Sequence, residues 1–205
     1  MDSTPMSARH LSADERRAVT IETVVELAGE RNPSEITTAA IAERMKLTQG
    51  ALFRHFPTKE ALWVAVMEWM AERLMARIER AIEQASGPLA ALRAMFLAHV
   101  GFVVEHPGVP RMMFGELQHA QPSVPKRMAQ TVVRRYGERV RAVLEAGRAK
   151  GEVAAEIDLD AATTLFVGTI QGLVMQSLLA GAPDRIRDQA PAVIELYLRA
   201  IRSTS

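Results

Sequence analysis

Between residues 44 and 59 the chain has five side chains able to carry positive charge, Arg44, Lys46, Arg54, His55 and Lys59, and no carboxylate. Short donors accompany them. Thr37, Thr38, Thr48 and His55 have the reach that suits phosphate oxygens. Thr48, Gln49, Gly50 and Ala51 follow one another at what reads as a helix start. Gly50 and Ala51 permit close approach of the backbone, and Gln49 has the paired donor and acceptor that fits adenine. Lys59 falls in the first turn of the next helix, where free N–H groups and the helix dipole favour an anion. This is the chemistry of a DNA surface. An ordinary helical hairpin with a solvated basic face is the alternative reading of the same residues.

Catalytic chemistry finds less support. Glu116-Leu-Gln-His119 is a Glu-x-x-His pair, an element of di-iron bundles. Those bundles need a second copy, and the sequence has none, so a satisfied or surface histidine is the preferred reading and no metal site is expected. There are no cysteines, which excludes thiol catalysis, disulfides and cysteine-ligated zinc. No serine–histidine–acid arrangement, phosphate loop or Gly-x-Gly-x-x-Gly is present. The chain reads as a non-enzyme without a cofactor.

Two short helices must position the basic stretch. Thr37 caps the first, expected from Thr38 to Met45 with Ile41, Ala42 and Met45 inward. Lys46-Leu47 is a turn. Thr48 caps the second, whose apolar side is Leu52 with Phe53 or Phe56. Pro57 disfavours helical geometry at Phe56, and Thr58 caps a third helix. Two short helices joined by a tight turn, with small Ala42 at the crossing, form a helix-turn-helix pattern.

The 205 residues suit one large domain or a small head with a larger body. Aromatics are only 5% and Met counts 11, which leans towards helices. A net charge of +1 means that any DNA site must be a local patch. Residues 1–10, including Arg9, read as a polar tail. The opening residues lack an apolar signal-peptide core, and a cytoplasmic location is expected. Ser12 and Glu15 form a capping box for a helix reaching Gly29. Further helices are expected over 59–85, 89–105, 110–118, 126–150, from about 160, and one ending near Arg202. Pro191 fits the first turn of that last helix with Asp188 as its cap. Residues 161–183 carry no charge and are long enough to span a bilayer. Their threonines and glutamines, and the lack of flanking anchors, favour a buried or oligomer-facing helix and no membrane.

Over residues 36–62 the chain resembles the tetracycline-repressor (TetR) family. The two threonines, the Ile-Ala pair, the run Leu52-Phe53-Arg54-His55-Phe56 and the start Pro57-Thr58-Lys59-Glu60-Ala61-Leu62 carry the likeness. The resemblance implies phosphate contacts from Thr38, Thr48, His55 and Lys59, and base-side contacts from Gln49, Gly50 and Ala51. Two positions depart from the family. Phe53 stands where tyrosine is usual and offers only an apolar or thymine-methyl contact. Lys46 stands where glycine is usual, so a left-handed turn there costs about 1–2 kcal/mol. The layout is also the family's: an all-α fold of nine helices, with a DNA-binding head over 1–58 and a body over 59–205 for ligand binding and dimerisation. Glu105-His106-Pro107, residues 147–152 and Gly168-x-x-Gln171-Gly172-Leu173 extend the likeness loosely.

Gly168 and Gly172 lie one turn apart and let another backbone come close, so the last two helices are expected to form a homodimer interface. Met67, Met70, Phe96, His99, Phe102, Met113, Phe114, Met128, Gln171 and Met175 are candidates to line an effector cavity. For each methionine taken singly, plain core is the simpler reading. The function expected is that of a transcriptional regulator, a repressor released from a near-palindromic double-stranded operator by a small apolar or amphipathic effector. A helical small-molecule carrier without DNA binding and a di-metal bundle enzyme are the other readings.

Overall fold

A computed structural model describes residues 12–118, 120–121, 123–182 and 184–203. The polar tail, His119, Pro122 and Pro183 lie outside the described residues. Nine α-helices are found among the described residues: α1 Ala13–Glu30, α2 Thr38–Arg44, α3 Gln49–Phe53, α4 Lys59–Glu83, α5 Pro88–Glu105, α6 Gly108–Leu117, α7 Val124–Ala149, α8 Leu159–Leu179 and α9 Arg185–Ile201. No strand is present among those residues; one isolated antiparallel bridge pairs Val153 with Arg202.

The chain divides into two compact units. The first holds residues up to Met70 together with His106–Met128. Its α1 starts at the expected capping box: the Ser12 N–H donates to the Glu15 carboxylate at 2.7 Å and the Glu15 N–H to the Ser12 hydroxyl at 3.2 Å. Ile21, Val24, Val25, Leu27 and Ala28 then form one buried stripe, while Val19 faces out. That stripe packs against α6. The contact is close: a Cβ on Gly108 would meet the Val25 carbonyl oxygen at 2.0 Å and the Ala28 Cβ at 3.0 Å.

The turn after α2 is closed by backbone bonds. The Lys46 N–H donates to Glu43 O at 3.0 Å and the Leu47 N–H to Ala42 O at 2.8 Å, the paired bonds of a Schellman stop. That motif places its central residue in left-handed geometry, and Lys46 has φ +55°. It is the one non-glycine with positive φ among the described residues.

The second unit holds Ala71–Glu105 and residues from Ala129 onward. Here α5 packs along α9 and α8. Ile186, Ala190, Ile194, Tyr197, Leu198 and Ile201 are the buried stripe of α9. This overturns the expected placing of Pro191. The helix starts at Arg185, with Asp184 preceding it, and Pro191 sits inside it on an exposed position. Ile186 and Ala190 lie on the same stripe as Ile194, so burying all three requires one helix through the proline. The missing N–H removes one helical bond, and the stripe offsets that loss. Where α5 begins, the Glu152 carboxylate accepts the Leu89 N–H at 3.1 Å, closing the α5 N-terminus from a residue 63 positions away. Both α5 and α8 are long and apolar enough to cross a membrane by length and composition alone. The sequence pointed only to α8.

Both tight backbone features can be tested by substitution. Gly108→Ala should lower stability by at least ~2 kcal/mol, since backbone rather than a flexible side chain blocks the new methyl group; thermal unfolding reads it. Lys46→Gly should raise stability by about 1 kcal/mol, by removing the left-handed cost without changing the turn; the same melts check it.

Candidate nucleic-acid interface

The candidate surface begins with what α3 buries. Leu52 and Phe56 are each 2% exposed, and with Ile36, Ile41 and Ala42 they fix α3 against α2. Burying a side chain such as Phe56 contributes ~1.5–3 kcal/mol. Phe53, outside that anchor pattern, remains 42% exposed. Sequence left Phe53 and Phe56 as alternatives; the structure buries the second and presents the first. The regular helix is five residues long and ends at Phe53, earlier than expected. His55 and Phe56 continue it only as a turn, both N–H groups donating to Leu52 O.

Thr48, Gln49, Gly50, Phe53 and Arg54 are exposed, and Ala51 is half-buried. None of the exposed five holds the core. A Cβ on Gly50 would meet nothing within 4 Å, so no internal contact requires glycine there. Three helix starts share one construction. The Thr37, Thr48 and Thr58 hydroxyl oxygens accept N–H groups from Ala40, Ala51 and Ala61 at 3.1, 3.2 and 3.0 Å. Each hydroxyl keeps its own proton for an outside acceptor. Thr38 and His55 are half-buried. Lys59 is exposed at the start of α4, its Nζ 4.9 Å from the centre of the Trp63 ring, and partial burial lowers its pKa.

Two arginines read differently in three dimensions. Arg44 is engaged by Glu30 of α1 through two bonds of 3.0 and 2.5 Å. The acid-free run from 44 to 59 therefore overstated the patch: its first cation meets a carboxylate from outside the run. Arg17 was missed. Its Nη1 donates to the His55 carbonyl at 2.7 Å, and its guanidinium lies 4.4 Å from the centre of the Phe56 ring. Arg17 thus pins the end of α3 from 38 residues away, a separation that no local pattern reports.

The candidate effector residues are dispersed. Met67, Met70, Met113, Phe114 and Met128 belong to the first unit, and Phe96, His99, Phe102, Gln171 and Met175 to the second. Met67, Met70, Phe96 and Phe102 are buried core. Gln171 and Met175 are exposed, on the same outward side of α8 as Gly168, so they do not line the interior of their unit. The first unit has an open cleft of about 590 Å3, lined by Asn32, Lys59, Trp63, Met112, Glu116 and Pro125 among others, and sequence did not anticipate it. In that cleft the buried Glu116 carboxylate accepts the Ser123 hydroxyl at 2.8 Å.

Comparison with known proteins agrees with this geometry. A family model described as bacterial regulatory proteins, tetR family, matches residues 21–66. A second, the tetracyclin repressor-like C-terminal domain, matches residues 112–193. The nucleoid occlusion factor SlmA of Marinomonas sp. is 28% identical over 100 residues, 49% of this chain and 51% of that protein. The chain thus spans about half the length of curated relatives it matches. A TetR transcriptional regulator from Chloroflexus aurantiacus superposes with a TM-score of 0.79 at 20% identity, covering 94% of this chain and 98% of that one. The regulator FadR of Bacillus subtilis, solved with stearoyl-CoA, superposes with a TM-score of 0.77 at 17% identity, covering 89% and 98%. With the helix-turn-helix and the body each matched by a model of one family, and the whole fold shared, the chain belongs to the tetR family of bacterial regulatory proteins.

Proposed function

We propose that this chain is a transcriptional repressor that binds a near-palindromic operator and is released by a small apolar or amphipathic effector. The observation that carries the DNA half is the outward face of α3, where Thr48, Gln49, Gly50, Phe53 and Arg54 are exposed. A recognition helix presents its N-terminal residues to base edges. Gln49 is the bidentate reader, and exposed Phe53 meets a thymine methyl group. Thr37, Thr38, Thr48, Arg54, His55 and Lys59 hold phosphates. Residues 1–58 form the DNA-reading part and 59–205 the part that binds effector and partner. A DNA target implies a cytoplasmic location.

Operator recognition by two heads requires a homodimer. Supporting α8 and α9 as its interface is the apolar surface they leave open: Leu165 is 55% exposed, Leu179 80% and Leu196 62%. The two helices also border an open groove lined by Thr169, Gly172, Gln176, Gln189, Ala192 and Val193. A Cβ on Gly168 or Gly172 would meet nothing within 4 Å, so neither glycine serves its own subunit's packing. A partner helix is what such glycines admit.

Release rests on linkage. An effector shifts the equilibrium only by its differential affinity for the two states, and operator DNA must weaken the effector by the same factor. Support for an apolar effector comes from the methionine and phenylalanine content of the body and from the FadR structure, whose own ligand is an acyl-CoA.

Lys59→Ala should weaken binding to every DNA sequence alike and reduce the salt slope by about 1. Gln49→Ala should cost roughly 1–3 kcal/mol on the operator, relax one position per half-site and leave the salt slope unchanged. Titrations of both variants with operator and scrambled DNA at several salt concentrations test this; an unchanged operator-to-scrambled ratio for Gln49→Ala would remove α3 as the reading helix. Gly172→Leu should leave the folded subunit intact and shift sedimentation towards monomer, because the new side chain has space in the subunit but not against a partner.

A further inference from the structure

The second unit contains two polar atoms, shielded from solvent, for which no hydrogen-bond partner is found among the described residues. His99 on α5 and Tyr136 on α7 meet edge to face, ring centres 5.1 Å apart. They do not bond each other. The His99 Nδ1 and the Tyr136 hydroxyl are both shielded from solvent, and neither has a hydrogen-bond partner among the described residues. Tyr136 is 3% exposed. The neighbouring Tyr197, in the same cluster, shows the ordinary arrangement: its hydroxyl donates to Ala162 O at 3.0 Å. Phe166 joins the cluster, 5.3 Å from Tyr197 and 5.5 Å from Phe96 between ring centres. Two orphaned groups within one aromatic cluster are rare in a native interior, because each gives up water and gains no partner.

We propose that His99 and Tyr136 form the polar end of an effector seat inside the second unit, and that the seat selects an uncharged molecule whose apolar body ends in a hydroxyl group. The proposal rests on the reading of the chain as an effector-controlled regulator and names the chemistry of that effector. Burial lowers the His99 pKa to about 4 and raises that of Tyr136, so at neutral pH the imidazole and the phenol are both uncharged. Neutral imidazole has one donor and one acceptor nitrogen, and a phenol donates. With Nδ1 as the acceptor, the pair offers one donor and one acceptor. A single hydroxyl accepts from Tyr136 and donates to His99, satisfying both. A carboxylate supplies no proton for the imidazole nitrogen, and none of the five rings of the cluster supplies a cation to offset its buried charge. The rings of Phe96, Phe166 and Tyr197, packed edge to face on one another, make the surroundings of that polar end apolar.

The test uses the full-length protein free of DNA, 1-alkanols of six to fourteen carbons and the carboxylates of equal length, with calorimetry at pH 7.5. At least one alkanol should bind more tightly than its carboxylate. Tyr136→Phe should weaken that alkanol about tenfold, or ~1.4 kcal/mol, leave carboxylate binding unchanged, and melt no lower than the parent, since the lost hydroxyl had no partner. The bound alkanol should also move the 15N resonance of His99 Nδ1. The proposal is overturned if no alkanol binds, if carboxylates bind better, if Tyr136→Phe binds the alkanol equally well, or if Tyr136→Phe melts markedly lower, which would mean that the hydroxyl is bonded inside the free protein. Operator release is measured separately. An alkanol that occupies the seat and leaves DNA bound supports the seat and counts against effector control; release by a charged ligand to which Tyr136→Phe is indifferent overturns the seat and leaves the regulator standing.

Discussion

The Val25 carbonyl oxygen and the Gly108 α-carbon lie so close that no side chain fits between α1 and α6. Much of the first unit depends on that approach. It ties the segment His106–Met128 to helices that lie far earlier in the chain. It also lets the stripe of Val24, Val25 and Ala28 bury fully. From the first turns of α1 Arg17 reaches the end of α3, and from its last residue Glu30 reaches Arg44. α3 is therefore held by α1 as well as by its own turn. The Arg44–Glu30 pair is surface-exposed and contributes little by itself, ~0–1 kcal/mol. Its larger effect is to remove one cation from the patch.

The second unit is organised differently. Its core combines aromatic rings from α5, α7, α8 and α9, with charged contacts at its edge. Arg77 pairs with Glu105 and Arg139 with Glu79. The stretch between α7 and α8 closes the far end. Gly151 takes the left-handed position of a Schellman stop, Glu152 covers the start of α5, and Ala154 and Ser203 bond the strand-like bridge beside Arg202.

Relations between near neighbours in the chain are the legible ones. The three threonine caps, the Ser12–Glu15 box and the helical stripes depend on residues within one or two turns of each other, and a sequence displays such relations directly. The turn at Lys46 is legible for the same reason. The failures share a different cause. Pro191 invites a helix start because local propensity ranks proline there, but a stripe of six buried residues overrides it. Arg44 looks free because its partner is in another helix, and Arg17 is invisible because its acceptor is a backbone carbonyl, which no residue type announces. The placing of α6 in the first unit is equally hidden: its only signature is a glycine whose missing Cβ acquires meaning once α1 lies against it.

The outward residues of α3 are exposed, and Gly50 has open space around it. The buried anchor and the exposed surface are thus written on separate sets of side chains within a five-residue helix. Natural proteins sit only slightly above the stability they need, so most changes that alter a surface are limited by what they cost the fold. Here that limit is relaxed. After gene duplication, a copy of this chain can drift through many combinations at positions 49, 50, 53 and 54 without passing through an unfolded intermediate. The anchor made by Leu52, Phe56 and Arg17 is what gives the lineage that evolvability.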